Sequence, residues 1–216
     1  MTPLDELYAS TGGDGAAYAQ GYARHQIQLL ERLDAPAIAA VARLMLECWR
    51  SGHTVFCVGN GGSAATAAHF VTDLMWGHRD GVTEPPRVIA LTTNLALLTA
   101  VGNDVSYDEV FVEQLRGLLR PGDLVVAISV SGNSPNVLRA VQFARERGGQ
   151  AIGLVGCDGG RLKSLCAACV HVATAKGEYE VAEDVHHTAC HIIASFVKRQ
   201  IVRSAPSDAL TSPVRG

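Results

Sequence analysis

The spacing of apolar residues changes about 50 residues into the chain. From Ala17 to Arg50, apolar side chains recur every three or four positions, with a break at Pro36. This pattern predicts two consecutive helices that precede any strand. Helices in that position, with a long apolar stripe, either pack between subunits or cover a sheet. The pattern alone leaves both roles open.

Beyond residue 50, short apolar runs alternate with helix-like segments. The runs span 54–59, 87–91, 123–129, 150–156 and 169–174, and the helical patterns span 63–76, 94–101, 108–118, 134–147 and about 179–203. Continuous apolar strands separated by helices predict an α/β fold with a doubly wound, Rossmann-like, five-stranded parallel sheet. We therefore expect one domain over residues 17–203, flanked by flexible ends at 1–16 and 204–216 that are rich in Gly, Pro, Ser and Asp.

Composition and charge exclude several classes of function. The 216 residues are 48% hydrophobic and 18% charged, which suits one α/β domain with a substantial core. A net charge of -3 without a basic stretch argues against nucleic acid or a membrane surface as partner. The acidic N-terminus lacks the basic and apolar regions of a secretory signal. Among six scattered cysteines only Cys166 and Cys169 form a C-x-x-C, which we interpret as structural, and we expect a cytoplasmic protein.

Two Gly- and Ser-rich loops each follow a predicted strand and lead into a helix. They are Gly59-Asn60-Gly61-Gly62-Ser63 and Ser129-Val130-Ser131-Gly132-Asn133-Ser134. Glycines allow close approach of the backbone, and a helix start offers unpaired N–H groups, so an anion is the expected ligand. Neither loop matches G-x-G-x-x-G or G-x-x-x-x-G-K-S/T, which disfavours a nucleotide. Both loops lie at the carboxyl ends of strands and are predicted to converge on one site.

Ionisable residues are concentrated on two of the predicted helices. His69 and Asp73 are four residues apart and share a helix face, and the segment EDVHHTACH at 183–191 adds acids and three histidines on the last helix. Such a set indicates a divalent metal site or an acid–base pair. The spacing leaves open whether the acid at the start of this segment acts with His187 or with His191.

Four motifs, in this order, resemble those of the phosphoheptose isomerases in the sugar isomerase (SIS) domain superfamily: GNGGSAATAAHF, TAVGNDVSYDEVF, AISVSGNSPNV and EDVHHTACH. The resemblance extends from about residue 20 to residue 200. It implies a sheet of SIS type with additional N-terminal oligomerisation helices at 17–50, and a homotetramer with active sites near subunit interfaces. It also implies interconversion of sedoheptulose 7-phosphate and D-glycero-D-manno-heptose 7-phosphate through an enediol, with one zinc ion per subunit.

The resemblance also assigns roles to individual residues. Contacts with the substrate and its phosphate are implied for Asn60, Gly61, Gly62, Ser63, Asn103, Asp104, Ser129, Val130, Ser131, Ser134 and Glu183. Zinc ligands are implied at His69, Asp73, Glu183 and His191, with Asp73 as the catalytic base and His191 as the acid. The same assignment leaves His187 at the surface or behind the ligands.

Three positions depart from the family pattern. Asp73 replaces the usual glutamate, Glu183 the usual glutamine, and Val130 the usual threonine. Positions 73 and 183 keep ligands that suit zinc. The departures leave two alternatives open: an isomerase for another sugar phosphate in a specialised pathway, and a non-catalytic SIS protein that binds a sugar phosphate or a partner protein. Because positions 73 and 191 both remain ionisable, the sequence favours an enzyme.

Overall fold

The chain is organised around a parallel sheet whose strands are β1 (Thr54–Val58), β2 (Arg87–Ala90), β3 (Leu124–Ser129), β4 (Gln150–Val155) and β5 (Ala168–His171). This computed structural model describes residues 1–76, 82 and 84–204. Its helices are α1 (Pro3–Ser10), α2 (Gly15–Glu31), α3 (Ala35–Arg50), α4 (Gly62–Met75), α5 (Leu95–Asp104), α6 (Val112–Leu118), α7 (Pro135–Glu146), α8 (Gly160–Leu165) and α9 (Tyr179–Ser204). The predicted five-stranded α/β fold is confirmed.

The strand order explains where a ligand can bind. The strands lie in the order β2-β1-β3-β4-β5, and every pair is parallel. The chain leaves β1 toward β2 on one side and continues from β3 toward β4 on the other. The connections after β1 and β3 therefore diverge, which opens a crevice at the carboxyl ends of these two central strands. Both Gly- and Ser-rich loops lie at this crevice.

Helices cover the sheet on both faces. One apolar core joins α3, α4 and α9 to the sheet, with Val41, Phe70 and Ile193 among its buried members. A second core, on the other face, joins the sheet to helices that include α6 and α7. Since every residue of β1 and β3 is buried, their continuous apolar sequences fit strands covered on both faces. Helix α3 therefore has one of the two roles left open for the N-terminal helices, that of covering the sheet.

The structure differs from the sequence prediction at three short elements. Helix α1 lies within the segment predicted to be flexible, and it begins with a capping box in which Thr2 and Asp5 bind each other's backbone N–H. Helix α8 was not predicted, because six residues are too few to show a helical period. Strand β5 is shorter and begins one residue earlier than the predicted 169–174. Of the predicted C-terminal tail, Ser204 ends α9 and residues 205–216 lie outside the described residues.

In the described part of the chain, no helix is both long and apolar enough to cross a membrane.

Candidate active site

The loop after β1 depends on its glycines. Gly61 adopts a φ of 53°, which side-chain-bearing residues rarely adopt. A Cβ on Gly59 would lie 2.7 Å from the carbonyl oxygen of Ser63, so the loop can close only around a glycine. No side chain caps the start of α4, and Ser63 is buried inside its first turn rather than placed as a cap. The N–H groups of Ala64 and Ala65 donate to the carbonyls of Asn60 and Gly61, so the N–H groups of Gly62 and Ser63 at the start of α4 are the ones placed for an external anion.

The loop after β3 presents hydroxyl groups beside a second uncapped helix. The Oγ atoms of Ser129 and Ser134 are 3.2 Å apart, and Ser134 precedes α7 without making a side-chain cap. Gly132 has a φ of 61°, and a Cβ there would collide with the backbone of Gly159. This close approach packs the loop against the start of α8, where the backbone N–H of Leu162 donates to the Gly132 carbonyl.

The two loops enclose a common cavity of about 110 Å³. It is lined by Asn60, Ser63, Ile128, Ser129, Val130, Ser131, Ser134, Tyr179 and Glu183. Both loops therefore line one site, as the sequence predicted. None of these lining residues is Lys or Arg, so N–H and hydroxyl groups would hold an anion there. Such donors suit a phosphate group, because a helix start adds positive potential to them.

Asn60 is held in place by residues that the sequence analysis did not identify. Its side-chain amide exchanges two hydrogen bonds with Asn136 on α7, at 2.8 and 2.9 Å, and Asn136 is buried. The Tyr107 hydroxyl donates a third bond, of 3.0 Å, to the Asn60 side-chain oxygen. Both partners lie within the quoted motifs, but they are 76 and 47 residues away from Asn60 along the chain, so a local pattern does not show that they pair with it.

The predicted ionisable cluster forms between α4 and α9. The Nε2 atoms of His69 and His191 are 3.0 Å apart. The Oδ2 atom of Asp73 lies 3.5 Å from the His69 Nε2 and 3.4 Å from the His191 Nε2. These side chains converge from two helices that pack along each other. Asp73 is more shielded than the histidines, with 25% of its side chain exposed against about half of each ring.

His187 belongs to the same cluster, contrary to the expectation that it lies at the surface or behind the ligands. Its ring centroid is 4.6 Å from that of His69 and 4.5 Å from that of His191. Ring nitrogens of the three histidines lie within 4.8 Å of one another. Burial lowers the pKa of His187, and the two neighbouring rings lower it further. The ring is therefore neutral at neutral pH and can offer a lone pair.

Glu183 lines the cavity between the two loops. Its carboxylate packs against Gly62, in the space that a Cβ at that position would occupy. Partial burial raises the pKa of Glu183, and the nearby acids Glu180 and Asp184 add to this effect. Glu183 is not part of the group formed by the three histidine nitrogens among the described residues. Its predicted contact with substrate agrees with this position more closely than its predicted role as a metal ligand does.

The Asn103–Asp104 pair lies outside the cavity of the single chain. Both side chains are exposed at the end of α5, and Asn103 donates a hydrogen bond of 2.7 Å to Asp104. Neither lines the cavity between the loops. Their contact with substrate therefore stays a prediction.

The fold and the site together define a SIS domain protein, and a family model supports this class. The model described as SIS domain matches residues 18–156, a range that contains β1 to β4 and both loops.

Comparison with individual relatives narrows the family. The chain is 38% identical over 178 residues to the phosphoheptose isomerase of Pelobacter propionicus, covering 82% of this chain and 93% of the relative. It is 41% identical over 164 residues to that of Rhodospirillum rubrum, covering 76% and 86%. Among solved structures, the phosphoheptose isomerase GmhA from Neisseria gonorrhoeae matches with a TM-score of 0.75 at 34% identity, covering 85% of this chain and 96% of that one. The chain belongs to the phosphoheptose isomerase family.

Proposed function

We propose that the chain interconverts sedoheptulose 7-phosphate and D-glycero-D-manno-heptose 7-phosphate. The observation that carries this proposal is the joint position of two uncapped helix starts and an acid–base cluster around one crevice. A phosphate would bind in the cavity between the loops, and the sugar would extend toward α4 and α9. The identity to phosphoheptose isomerases over most of the chain supports the choice of substrate.

Aldose–ketose exchange moves a proton between adjacent carbons through an enediol. Asp73 would take the proton from carbon, and His191 would act at the neighbouring oxygen, as a proton donor where its Nε2 carries a proton or by holding the ion where its Nε2 binds zinc. Contacts to the remote phosphate contribute binding energy that positions the reacting carbons against these two groups.

Zinc is part of the proposal, and the residues present fit it. The distances among the His69 and His191 Nε2 atoms and the Asp73 Oδ2 atom, between 3.0 and 3.5 Å, resemble the spacing of ligands around one ion. Tetrahedral zinc with bonds of about 2.0–2.2 Å separates its ligands by roughly 3.3–3.6 Å. The family resemblance adds Glu183 as a fourth ligand. A bound zinc ion would polarise the substrate carbonyl.

The first prediction concerns the substrate. Purified protein should convert sedoheptulose 7-phosphate to the aldose, and sedoheptulose without phosphate should react far more slowly because the loop contacts are lost. Inorganic phosphate should compete with the sugar phosphate. The measurement is formation of the aldose by chromatography, with and without added zinc.

Two results would contradict this assignment in different ways. Turnover of another sugar phosphate but not of sedoheptulose 7-phosphate would favour an isomerase of a specialised pathway. The carboxylate of Glu183 inside the cavity is the observation that gives this alternative weight. Binding without turnover of any sugar phosphate would favour a non-catalytic SIS protein.

A homotetramer with active sites near subunit interfaces is also part of the proposal. Apolar side chains are exposed in the single chain on α2, at Ile27, and on α9, at Ile192 and Phe196. The last two follow His191 on the same helix, so a neighbouring subunit packed there would also cover the open side of the site. We also propose a cytoplasmic location, because the cysteines are free thiols and thiols stay reduced in the cytoplasm.

The second prediction tests the assembly. Light scattering should give four times the subunit mass of 22.8 kDa at micromolar concentration. Ile27→Glu should lower this mass, because it places a charge in an apolar contact. Gln28→Glu adds the same charge at the next exposed position and should have a smaller effect. A wild-type monomer would contradict the tetramer.

A further inference from the structure

The histidine that the family resemblance leaves aside is part of the cluster. His187 lies on α9 one turn before His191, and its ring is as close to His69 as it is to His191, with centroid distances of 4.6 and 4.5 Å. The nitrogens of all three rings lie within 4.8 Å of one another. A small adjustment of side-chain rotamers would bring three such nitrogens to the spacing that one zinc ion requires.

Glu183, in contrast, is not in this group of ligand atoms among the described residues. Its carboxylate packs on Gly62 and lines the cavity with Ser63, Ser129 and Ser134. Glu183 and His191 are eight residues apart on α9, which separates their backbones by roughly 12 Å along the helix axis. His187 and His191 are four residues apart, or about 6 Å. The family's ligand set spans the same eight residues, so spacing alone does not exclude Glu183, and the packing of its carboxylate against Gly62 is what favours His187.

We infer that His187, rather than Glu183, completes the metal site of this chain together with His69 and His191. The inference rests on the zinc ion of the proposed function. Three neutral imidazoles, with a position left open for substrate, form a ligand set known from catalytic zinc sites. Asp73 stays beside the ion, and Glu183 stays in the cavity, where its carboxylate can accept hydrogen bonds from substrate hydroxyls.

The ligand set also changes the charge at the metal. A site with both Asp73 and Glu183 as ligands would cancel the two positive charges of zinc. Replacing the Glu183 carboxylate by a neutral ring leaves more positive charge on the ion. A more positive ion stabilises an adjacent oxygen anion more strongly, which is the charge that forms in an enediol reaction.

Metal affinity, measured without any assay of activity, tests the inference. Metal-free full-length protein is titrated with Zn²⁺ against a chromogenic chelator, and the Co²⁺ form is examined by visible absorption. His187→Gln should weaken Zn²⁺ binding by about 100-fold or more and alter the Co²⁺ spectrum, since loss of a ligand costs at least as much as loss of its supporting partners. Glu183→Ala, which leaves no ligand atom at that position, should leave the Zn²⁺ affinity close to that of wild type.

Two further variants distinguish loss of a zinc ligand from a general effect of losing a histidine and from a folding defect. His53→Gln removes a histidine at the amino-terminal end of β1, away from the carboxyl ends of the strands, and should leave Zn²⁺ affinity unchanged. His187→Cys supplies another zinc ligand and should restore binding that His187→Gln loses, which a folding defect could not explain. Melting temperatures of all variants are compared in the metal-free state.

Each outcome decides the inference. Loss of Zn²⁺ affinity in Glu183→Ala with retention in His187→Gln would overturn it and support the ligand set of the family. Wild-type protein that binds no Zn²⁺ would overturn it together with the zinc of the proposed function. A protein that holds Zn²⁺ through His187 but does not convert sedoheptulose 7-phosphate would support the ligand set and refute the substrate.

Discussion

Asp73→Asn and His191→Gln should each lower kcat for sedoheptulose 7-phosphate by a factor of about 10²–10⁴, the usual cost of losing a general acid or base. Asn keeps the size of Asp73 but cannot accept the proton, and Gln keeps a hydrogen-bonding group at position 191 but cannot transfer one. Both residues are at least a quarter exposed and contribute little to the core, so the fold should survive. The measurement is steady-state kinetics at matched thermal stability.

Binding of the phosphate separates a chemical role from a structural one. The two side chains lie in the cluster between α4 and α9, whereas the phosphate cavity lies between the loops. Inorganic phosphate should therefore compete about equally well in wild type and in both variants. His53→Gln, at the amino-terminal end of β1, should keep wild-type kcat. Full activity in His191→Gln would show that the acid has been assigned to the wrong residue.

The fold could be predicted because its signals are local. The continuous apolar runs of β1 and β3 are what strands buried on both faces require, and their short lengths favour strands over buried helices. The caps of the early helices are also readable: Asp14 and Asp34 accept backbone N–H groups at the starts of α2 and α3. Short elements such as α1 and α8 contain too few residues to show a period.

Positions at the site could be predicted only in part. Gly- and Ser-rich loops after two strands of one sheet must lie at the same edge, so their convergence follows from topology. The amide pair of Asn60 and Asn136 does not, because it joins segments that approach only in the folded chain. Helix spacing placed three histidines on α9 but left open which of them faces α4. That choice depends on how α9 packs against the sheet.

Packing of α9 also decides the environment of His186, which points away from the cluster. Its side chain is fully buried, and neither ring nitrogen makes a well-formed hydrogen bond in the described part of the chain, although the backbone of Val155 lies close enough to oppose the fall in its pKa. Burial lowers the pKa of His186 to about 4, compared with about 6.5 for an exposed histidine. The folded protein therefore holds this ring neutral at a pH where the unfolded chain binds a proton.

The consequence is a loss of stability in mild acid. Above pH 6.5 both states hold the ring neutral, so its pKa shift has little effect there. As the pH falls from 6.5 toward 4, protonation favours the unfolded chain, and the linkage amounts to about 2 kcal/mol at pH 5. His186→Leu removes both the titrating ring and its two unpaired nitrogens. We expect the variant to lose about 2 kcal/mol less than wild type between pH 7 and pH 5.

Urea unfolding at these two pH values measures the difference directly. A chelator keeps the histidine cluster metal-free, so that pH-dependent metal binding does not contribute. His186→Phe serves as a second apolar replacement in case the smaller Leu leaves a cavity, and both variants should show the same reduced pH dependence. Because the comparison uses the change between two pH values, a constant packing cost in either variant cancels. The prediction is wrong if the free energy of unfolding changes by the same amount between the two pH values in wild type and in both variants. His186 would then have the same pKa in the folded and unfolded chain.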